Sequence, residues 1–374
     1  MRLRSMVFSA TSLAWLVVAC GGGPGAADPS SGPSSKLPPG SVQSRGSGPV
    51  AQIECGDHFS CAAMKDGSLK CWGRDEEGQL GDGGGEDKTK PVPVPGLSGV
   101  EEMALASSYG CALLKGGAVQ CWGTGRVAGG KSLAKARPAP VSGVDAASLS
   151  ASGVLACAIS SAGSLTCWGA ERDVKPDLGP GKIEDVAVAA THGCVLKEGG
   201  QVRCWGAHEW GGSNKRTLDE PKFPAAVTEV ATGDSFACAI AKDKKVYCWG
   251  ANDLGQLGVP ADFDIHEAPA AVPGVTGAES LALGEASACA IVSGGKAICW
   301  GSNYAGELGL GRSSPNETPA AAPALGSVKS LCFASAHACA QTLDDQMICW
   351  GFNAYGQLGD GTKQNRLAPV RVGF

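Results

Sequence analysis

Residues 111–123 read CALLKGGAVQCWG: two cysteines ten positions apart, the second opening a Cys-Trp-Gly. That tripeptide occurs seven times, opened by Cys71, Cys121, Cys167, Cys204, Cys248, Cys299 and Cys349. Every copy has another cysteine ten residues upstream: Cys61, Cys111, Cys157, Cys194, Cys238, Cys289 and Cys339. The intervals between copies vary, running 50, 46, 37, 44, 51 and 50 residues. A constant spacing inside a variable repeat describes a fixed local unit joined by tolerant loops.

Between its cysteines each copy reads as two short strands around three residues: CAAM, KDG, SLKC in the first, CALL, KGG, AVQC in the second, CAQT, LDD, QMIC in the last. A three-residue hairpin loop wants its last residue in the left-handed region. Gly67, Gly117, Gly163, Gly200 and Gly295 supply this, whereas Lys244 and Asp345 break the rule. With such a loop, positions i and i+10 face one another, and at a non-hydrogen-bonded position their Cα atoms lie roughly 4.5 Å apart, near the lower end of disulfide geometry. Each pair is therefore expected as a structural cross-strand disulfide, contributing at most about 3 kcal/mol for so short a ring.

Disulfides need an oxidising compartment, and the N-terminus provides for one. MRLRSMVFSATSLAWLVVAC (1–20) has a basic start, a short apolar run and small residues before Cys20, the pattern of an export signal too short for a spanning helix. Leu16-Val17-Val18-Ala19-Cys20-Gly21 resembles the bacterial lipobox, which implies cleavage after residue 19 and lipidation of Cys20. Residues 20–48 then comprise the lipidated cysteine and a Gly/Pro/Ser-rich stretch with little to bury, expected as a disordered tether. Residues 49–374 accommodate seven units averaging close to 46 residues, which fits an all-β fold of seven four-stranded antiparallel blades, a seven-bladed β-propeller.

Of 17 cysteines, Cys20 and the fourteen paired ones leave Cys55 and Cys332, each in the strand preceding its hairpin, in the first and last units. In an open solenoid these stand at opposite ends, whereas in a closed ring they are neighbours. A Cys55–Cys332 disulfide fastening the ring is the expectation. Removing residues 1–19 deletes Arg2 and Arg4 and no acid, moving the formal charge from −5 to −7. That acidity argues against nucleic acid, which selects basic stripes.

The unit resembles the regulator of chromosome condensation repeat, most fully where CWGANDLGQLG (248–258), CWGSNYAGELG (299–309) and CWGFNAYGQLG (349–359) stand complete, with CWGRDEEGQLG (71–81) in the first unit. Units two to four lack the GQLG ending. The resemblance covers essentially all of 49–374 and implies the seven-bladed propeller. In nuclear members of the family the propeller promotes nucleotide exchange on a small GTPase and sits on chromatin; an export signal, disulfides and an acidic chain remove the setting for either. The same fold occurs in a secreted bacterial inhibitor of β-lactamases. The seven CWG tryptophans (72, 122, 168, 205, 249, 300, 350) are expected as core between adjacent blades, and Leu80, Leu257, Leu308 and Leu358 as anchors of the GQLG turns.

Other chemistry is weakly signalled. GRVAGGKS (125–132) matches a phosphate loop through Gly125, Gly130, Lys131 and Ser132, but it follows a hairpin, and Pro138 and Pro140 curtail any helix. Zinc needs four ligands together, while successive cysteine pairs belong to separate blades and only five histidines exist (58, 192, 208, 266, 337). Asp82, Glu86 and Asp87 in DGGGED lack EF-hand spacing and read as a solvated acidic loop. No GxSxG or zincin helix is present. No catalytic, cofactor or metal residue is assigned, and the chain is expected not to be an enzyme.

What remains is surface recognition. In the fourth unit Trp210, with His208, Arg216 and Phe223 nearby, forms an aromatic and charged candidate for a contact hot spot; Trp210 could equally fill a gap left by a shortened blade. His58, Phe59, Tyr109, His192, Phe236 and His337, just upstream of the hairpins, are candidates for one rim, ranked lower. The expected protein is a monomeric scaffold anchored to the bacterial envelope, on the outer membrane, that binds another protein. Alternatives are an extracytoplasmic inhibitor of a hydrolase such as a β-lactamase, and a hydrolase or glycan-binding protein.

Overall fold

The computed structural model describes residues 50–125, 137–169, 178–190, 192–206 and 220–374. These form seven antiparallel sheets, each a meander in chain order. Five are four-stranded, spanning 50–93, 100–145, 227–276, 278–321 and 328–371. Blades three (148–168) and four (183–206) have three described strands, and their following segments, 170–177 and 207–219, lie outside the described residues. The first strands of consecutive blades contact one another all the way round, with Val328–Phe333 of blade seven returning to Val50–Cys55 of blade one. The ring is closed.

In every hairpin the two cysteines are direct register partners. Cys61 faces Cys71, Cys111 faces Cys121, Cys157 faces Cys167, and Cys194 faces Cys204. Cys238 faces Cys248, Cys289 faces Cys299, and Cys339 faces Cys349. Each pair is bonded, with Cα atoms 4.0–4.1 Å apart. Thirteen of these fourteen cysteines are buried; Cys167, on the short third strand of blade three, is half-buried. In blade one the loop closes by Gly67 N to Met64 O (2.9 Å) and Met64 N to Ser68 O (2.8 Å). Lys244 (φ 59°) and Asp345 (φ 62°) adopt the same left-handed backbone as the loop glycines. At Asp345 the surroundings hold the turn: its buried carboxylate accepts from Lys65 Nζ (2.6 Å), Gln341 Nε2 (3.0 Å) and Lys329 Nζ. Lys65 belongs to blade one, so this turn also ties blade seven to its neighbour.

The core lies between blades. Seven apolar clusters each combine two adjacent blades, the last joining blade seven to blade one. Each contains one CWG tryptophan, contributed by the later blade of the pair, and all seven tryptophans are buried. Second strands are buried along nearly their whole length, whereas the outermost strand of blade one, KTKPVP, is exposed or half-buried throughout. Proline in outer strands such as Lys88–Pro93 and Arg366–Arg371 protects an otherwise open sheet edge.

The GQLG ending now has a physical meaning. Trp72, Trp122, Trp300 and Trp350 donate their indole N–H to the carbonyl of Gln357, Gln79, Gln256 and Glu307, at 2.7–2.9 Å. Each acceptor sits in the GQLG or GELG turn of the preceding blade. Blade two lacks that motif in its sequence, and Trp168 of blade three has no hydrogen-bond partner for Nε1 among the described residues. The second glycine of the motif lets the turn approach the indole: at Gly81 (φ 69°) a Cβ would fall 2.6 Å from Trp122 Cδ1. On the inner strands, Glu102 and Glu229 link blades by accepting from Leu149 N (3.1 Å) and Leu281 N (2.8 Å). Burial raises Glu229 to about 8, so it carries its proton at neutral pH.

Candidate binding face at the ring seam

In the five four-stranded blades the residue after CWG is fixed against the loop between the first two strands of its own blade. Arg74 N donates to His58 O (2.9 Å), Thr124 N to Ser108 O (3.0 Å), Ala251 N to Ser235 O, Ser302 N to Ala286 O and Phe352 N to Ala336 O (each 2.9 Å). The CWG glycine makes this possible, because a Cβ on Gly73 (φ 111°) would lie 2.5 Å from His58 O. The next residue, Asn or Asp, caps the GQLG turn. Asn252, Asn303, Asn353 and Asp75 each accept from the amide of the motif leucine, five residues on, at 2.9–3.2 Å. Those leucines are buried, as their anchoring role requires.

Asp75 is the variant of this cap. In blades five to seven the Asn Nδ2 donates to loop carbonyls such as Pro260 O, Arg312 O and Thr362 O, while Asp75 Oδ2 finds no hydrogen-bond partner among the described residues. Burial therefore raises Asp75 from 3.8 to about 6. Below about pH 4 both folded and unfolded chains hold the proton; as pH rises from there to about 6 the unfolded chain ionises first, and stability falls. Asp75→Asn should therefore stabilise the protein at pH 7 by roughly 1 kcal/mol after allowance for screening. The gain should vanish near pH 4, as read by urea unfolding at the two pH values.

Where these loops of blades seven and one meet, four side chains form an aromatic and cationic patch. The His58 imidazole stacks on Tyr355, with ring centroids 5.0 Å apart and planes at 26°, and tilts against Phe352 at 5.9 Å. Phe352 and Tyr355 stand edge to face at 6.3 Å. The Arg74 guanidinium lies 5.5 Å from the Tyr355 ring centre and pairs with Glu76 at 2.7 Å. Hydrogen bonding to Glu76 raises the Arg74 pKa further, and Asp57 stands 4.0 Å from His58 Nε2. All four side chains are half-buried, presenting ring edges and a fixed cation at the surface. Such a patch offers aromatic edges and a guanidinium held in place by Tyr355 and Glu76.

The sequence candidates fall differently. Trp210, His208 and Arg216 lie outside the described residues, as do Cys20 and most of the phosphate-loop match, 126–132. Phe223 is half-buried, edge-on to Trp249 (5.5 Å) and Tyr247 (6.2 Å), at the border of the core between blades four and five. The rim expectation is corrected: Phe59, Tyr109, His192, Phe236 and His337 are all buried, because they open the second strand and pack between blades. Only His58, one residue earlier in the loop, remains half-buried. In the acidic loop Asp87 pairs with Lys363 (3.0 Å) and Glu86 with Lys88 (3.8 Å). Phe352 and Tyr355 escaped the sequence reading because they sit inside a well-formed repeat; the available signal was that the corresponding positions in other units are Thr124, Ala251 and Ser302, and Glu77, Leu254 and Ala305.

Ser60 Oγ and His337 Nε2, 2.9 Å apart, have the spacing of a nucleophile and base. Both are fully buried, Ser60 also donates to Gln357 O (3.1 Å), and burial lowers His337 to about 3. A base must titrate near the working pH, so this pair clasps the seam.

Models of the regulator of chromosome condensation (RCC1) repeat match residues 50–79 and 227–256, and 66–113 and 344–374. These stretches are RCC1 repeats. Among solved structures, yeast RCC1, crystallised bound to Kap60, superposes with a TM-score of 0.71 at 20% identity, covering 83% of this chain and 84% of that one. Human WBSCR16 gives 0.70 at 18%, covering 82% and 95%. These likenesses establish the RCC1-type propeller fold. Sequence relatives include the human E3 ubiquitin-protein ligase HERC2, 40% identical over 57 residues, and the mitochondrial RCC1 domain-containing protein RUG3 of Arabidopsis thaliana, 40% identical over 58. Those matches span 15% and 16% of this chain, and only 1% and 13% of the relatives' own length.

Proposed function

We propose that this RCC1-repeat propeller is a bacterial envelope scaffold, anchored by lipid on Cys20 and held away from the membrane by its Gly/Pro/Ser tether, that binds a protein partner on the face carrying His58, Arg74, Phe352 and Tyr355. The observation that carries the reading is the break in equivalence. A structural role repeats in every unit, as the CWG tryptophans do, whereas among the described residues the aromatic patch occurs at one junction. Aromatic residues and arginine held rigid at a surface are the side chains that dominate protein contacts. Yeast RCC1, whose fold this chain shares, was crystallised bound to Kap60, a precedent for a protein of this fold binding another protein. The signal sequence and the cysteine pairing support the compartment.

The test is in-cell crosslinking in the source bacterium, with mass spectrometry of the captured proteins and of residue 20. The expected result is diacylglycerol on Cys20 and a defined partner whose yield falls more than about tenfold in the Arg74→Glu, Tyr355→Ala double variant, in keeping with the loss of two hot-spot side chains. An unmodified Cys20 in a cytoplasmic protein would sink the anchoring. An unchanged partner set in a folded double variant would sink the face.

A further inference from the structure

Along the sequence, successive cysteine pairs belong to separate blades, which argues against zinc. Ring closure breaks that separation at the seam. Cys332, Cys339 and Cys349 lie side by side across three strands of blade seven, as direct register partners, and Cys55 of blade one is bonded to Cys332. Cys55 Sγ, a ring nitrogen of His337 and Cys339 Sγ fall within 4.8 Å of one another. All of these residues are buried. His337 Nδ1 has no hydrogen-bond partner among the described residues, while Nε2 is engaged by Ser60 Oγ at 2.9 Å, so the ring can offer a nitrogen lone pair for coordination.

In the disulfide form these sulfurs are poor ligands, since the thiolate is the species that binds metal. We propose that the reduced form of this cluster, Cys55, Cys332, Cys339 and Cys349 with His337, is a soft-metal site of the zinc class, so that the seam is fastened by disulfides when oxidised and by a metal ion when reduced. Each of the two disulfides takes up two electrons and two protons from a dithiol reductant, which leaves as its own disulfide. Metal binding then displaces one proton from each thiol that coordinates. Zinc–sulfur bonds of about 2.3 Å in a tetrahedron place ligand sulfurs about 3.8 Å apart, so Cys55 Sγ, Cys339 Sγ and the His337 nitrogen need close in by only about 1 Å from the 4.8 Å within which they already lie, while the sulfurs of each reduced disulfide part from bonding distance. Reduction also cuts the Cys55–Cys332 link between the first and last blades, which opens a path for the ion. The remaining six hairpin pairs each stand on their own blade and offer two sulfurs.

The experiment uses the full chain reduced with a phosphine under anaerobic conditions and titrated with Co(II). One equivalent should bind with a thiolate charge-transfer band and tetrahedral visible bands, absent from the oxidised chain. Losing an outer-shell partner costs about 10–100-fold in metal affinity, so Cys55→Ser with Cys332→Ser should weaken binding by more than about 100-fold. Alkylation mapping of the metal-loaded chain gives a second readout that holds even where the variant folds poorly: Cys55, Cys332, Cys339 and Cys349 should be protected selectively. No thiolate band, equal binding by the variant, or protection spread over the hairpin cysteines overturns the proposal.

Discussion

Removing the Cys55–Cys332 bond, as Cys55→Ser with Cys332→Ser, should destabilise the propeller more than removing any hairpin disulfide. This bond closes a loop with a sequence separation of 277, against 10 for each hairpin. Loop-closure entropy puts the upper limits at about 6 kcal/mol and about 3 kcal/mol respectively. The contrast matters because a hairpin bond restrains a unit that its own turn already restrains, whereas the seam bond joins chain ends that nothing local brings together. Urea unfolding of the double variant beside Cys111→Ser with Cys121→Ser reads the difference. Equal costs would mean that the non-covalent seam, with Gln341 bonded to Val50 O and Asp345 bonded to Lys65, closes the ring unaided.

The second large effect belongs to the inter-blade tryptophans. Trp350→Ala should cost about 3–5 kcal/mol, the range for emptying a buried aromatic site. Trp350 is fully buried among residues of blades six and seven, and its loss also leaves Glu307 O without its indole donor. A milder pair separates packing from hydrogen bonding. Trp350→Phe should cost about 1 kcal/mol more than Trp168→Phe, since one hydrogen bond is worth about that and Trp168 Nε1 has none to lose among the described residues. Matching costs for the two Phe variants would show that the GQLG carbonyl contributes packing alone.

The local unit was legible because its information is local. Ten-residue cysteine spacing fixes hairpin register, and a recurrent CWG marks a buried tryptophan with a glycine at the close approach behind it. Positions 244 and 345 show the limit of propensity. Neither is glycine, yet both turns keep the left-handed backbone, Asp345 because two lysines and a glutamine from packed strands hold its carboxylate. The rim residues show a different limit. Phe59, Tyr109 and His337 are offset from His58 by one alignment position, and in a strand one position decides whether a side chain enters the core or the surface.

By itself the sequence determined the repeat, its hairpin register, the cysteine pairing and the count of seven units, since each follows from spacing along the chain. Cys55 and Cys332 also pointed to the first and last units as the seam; tertiary structure alone decided what else those units bring there. His58 of the first unit stacks on Tyr355 of the last, and Cys55 and His337, far apart in sequence, share one buried sulfur cluster. The physical reason is ring closure: it makes neighbours of residues that no local pattern relates, and at that junction the equivalence of the repeats ends.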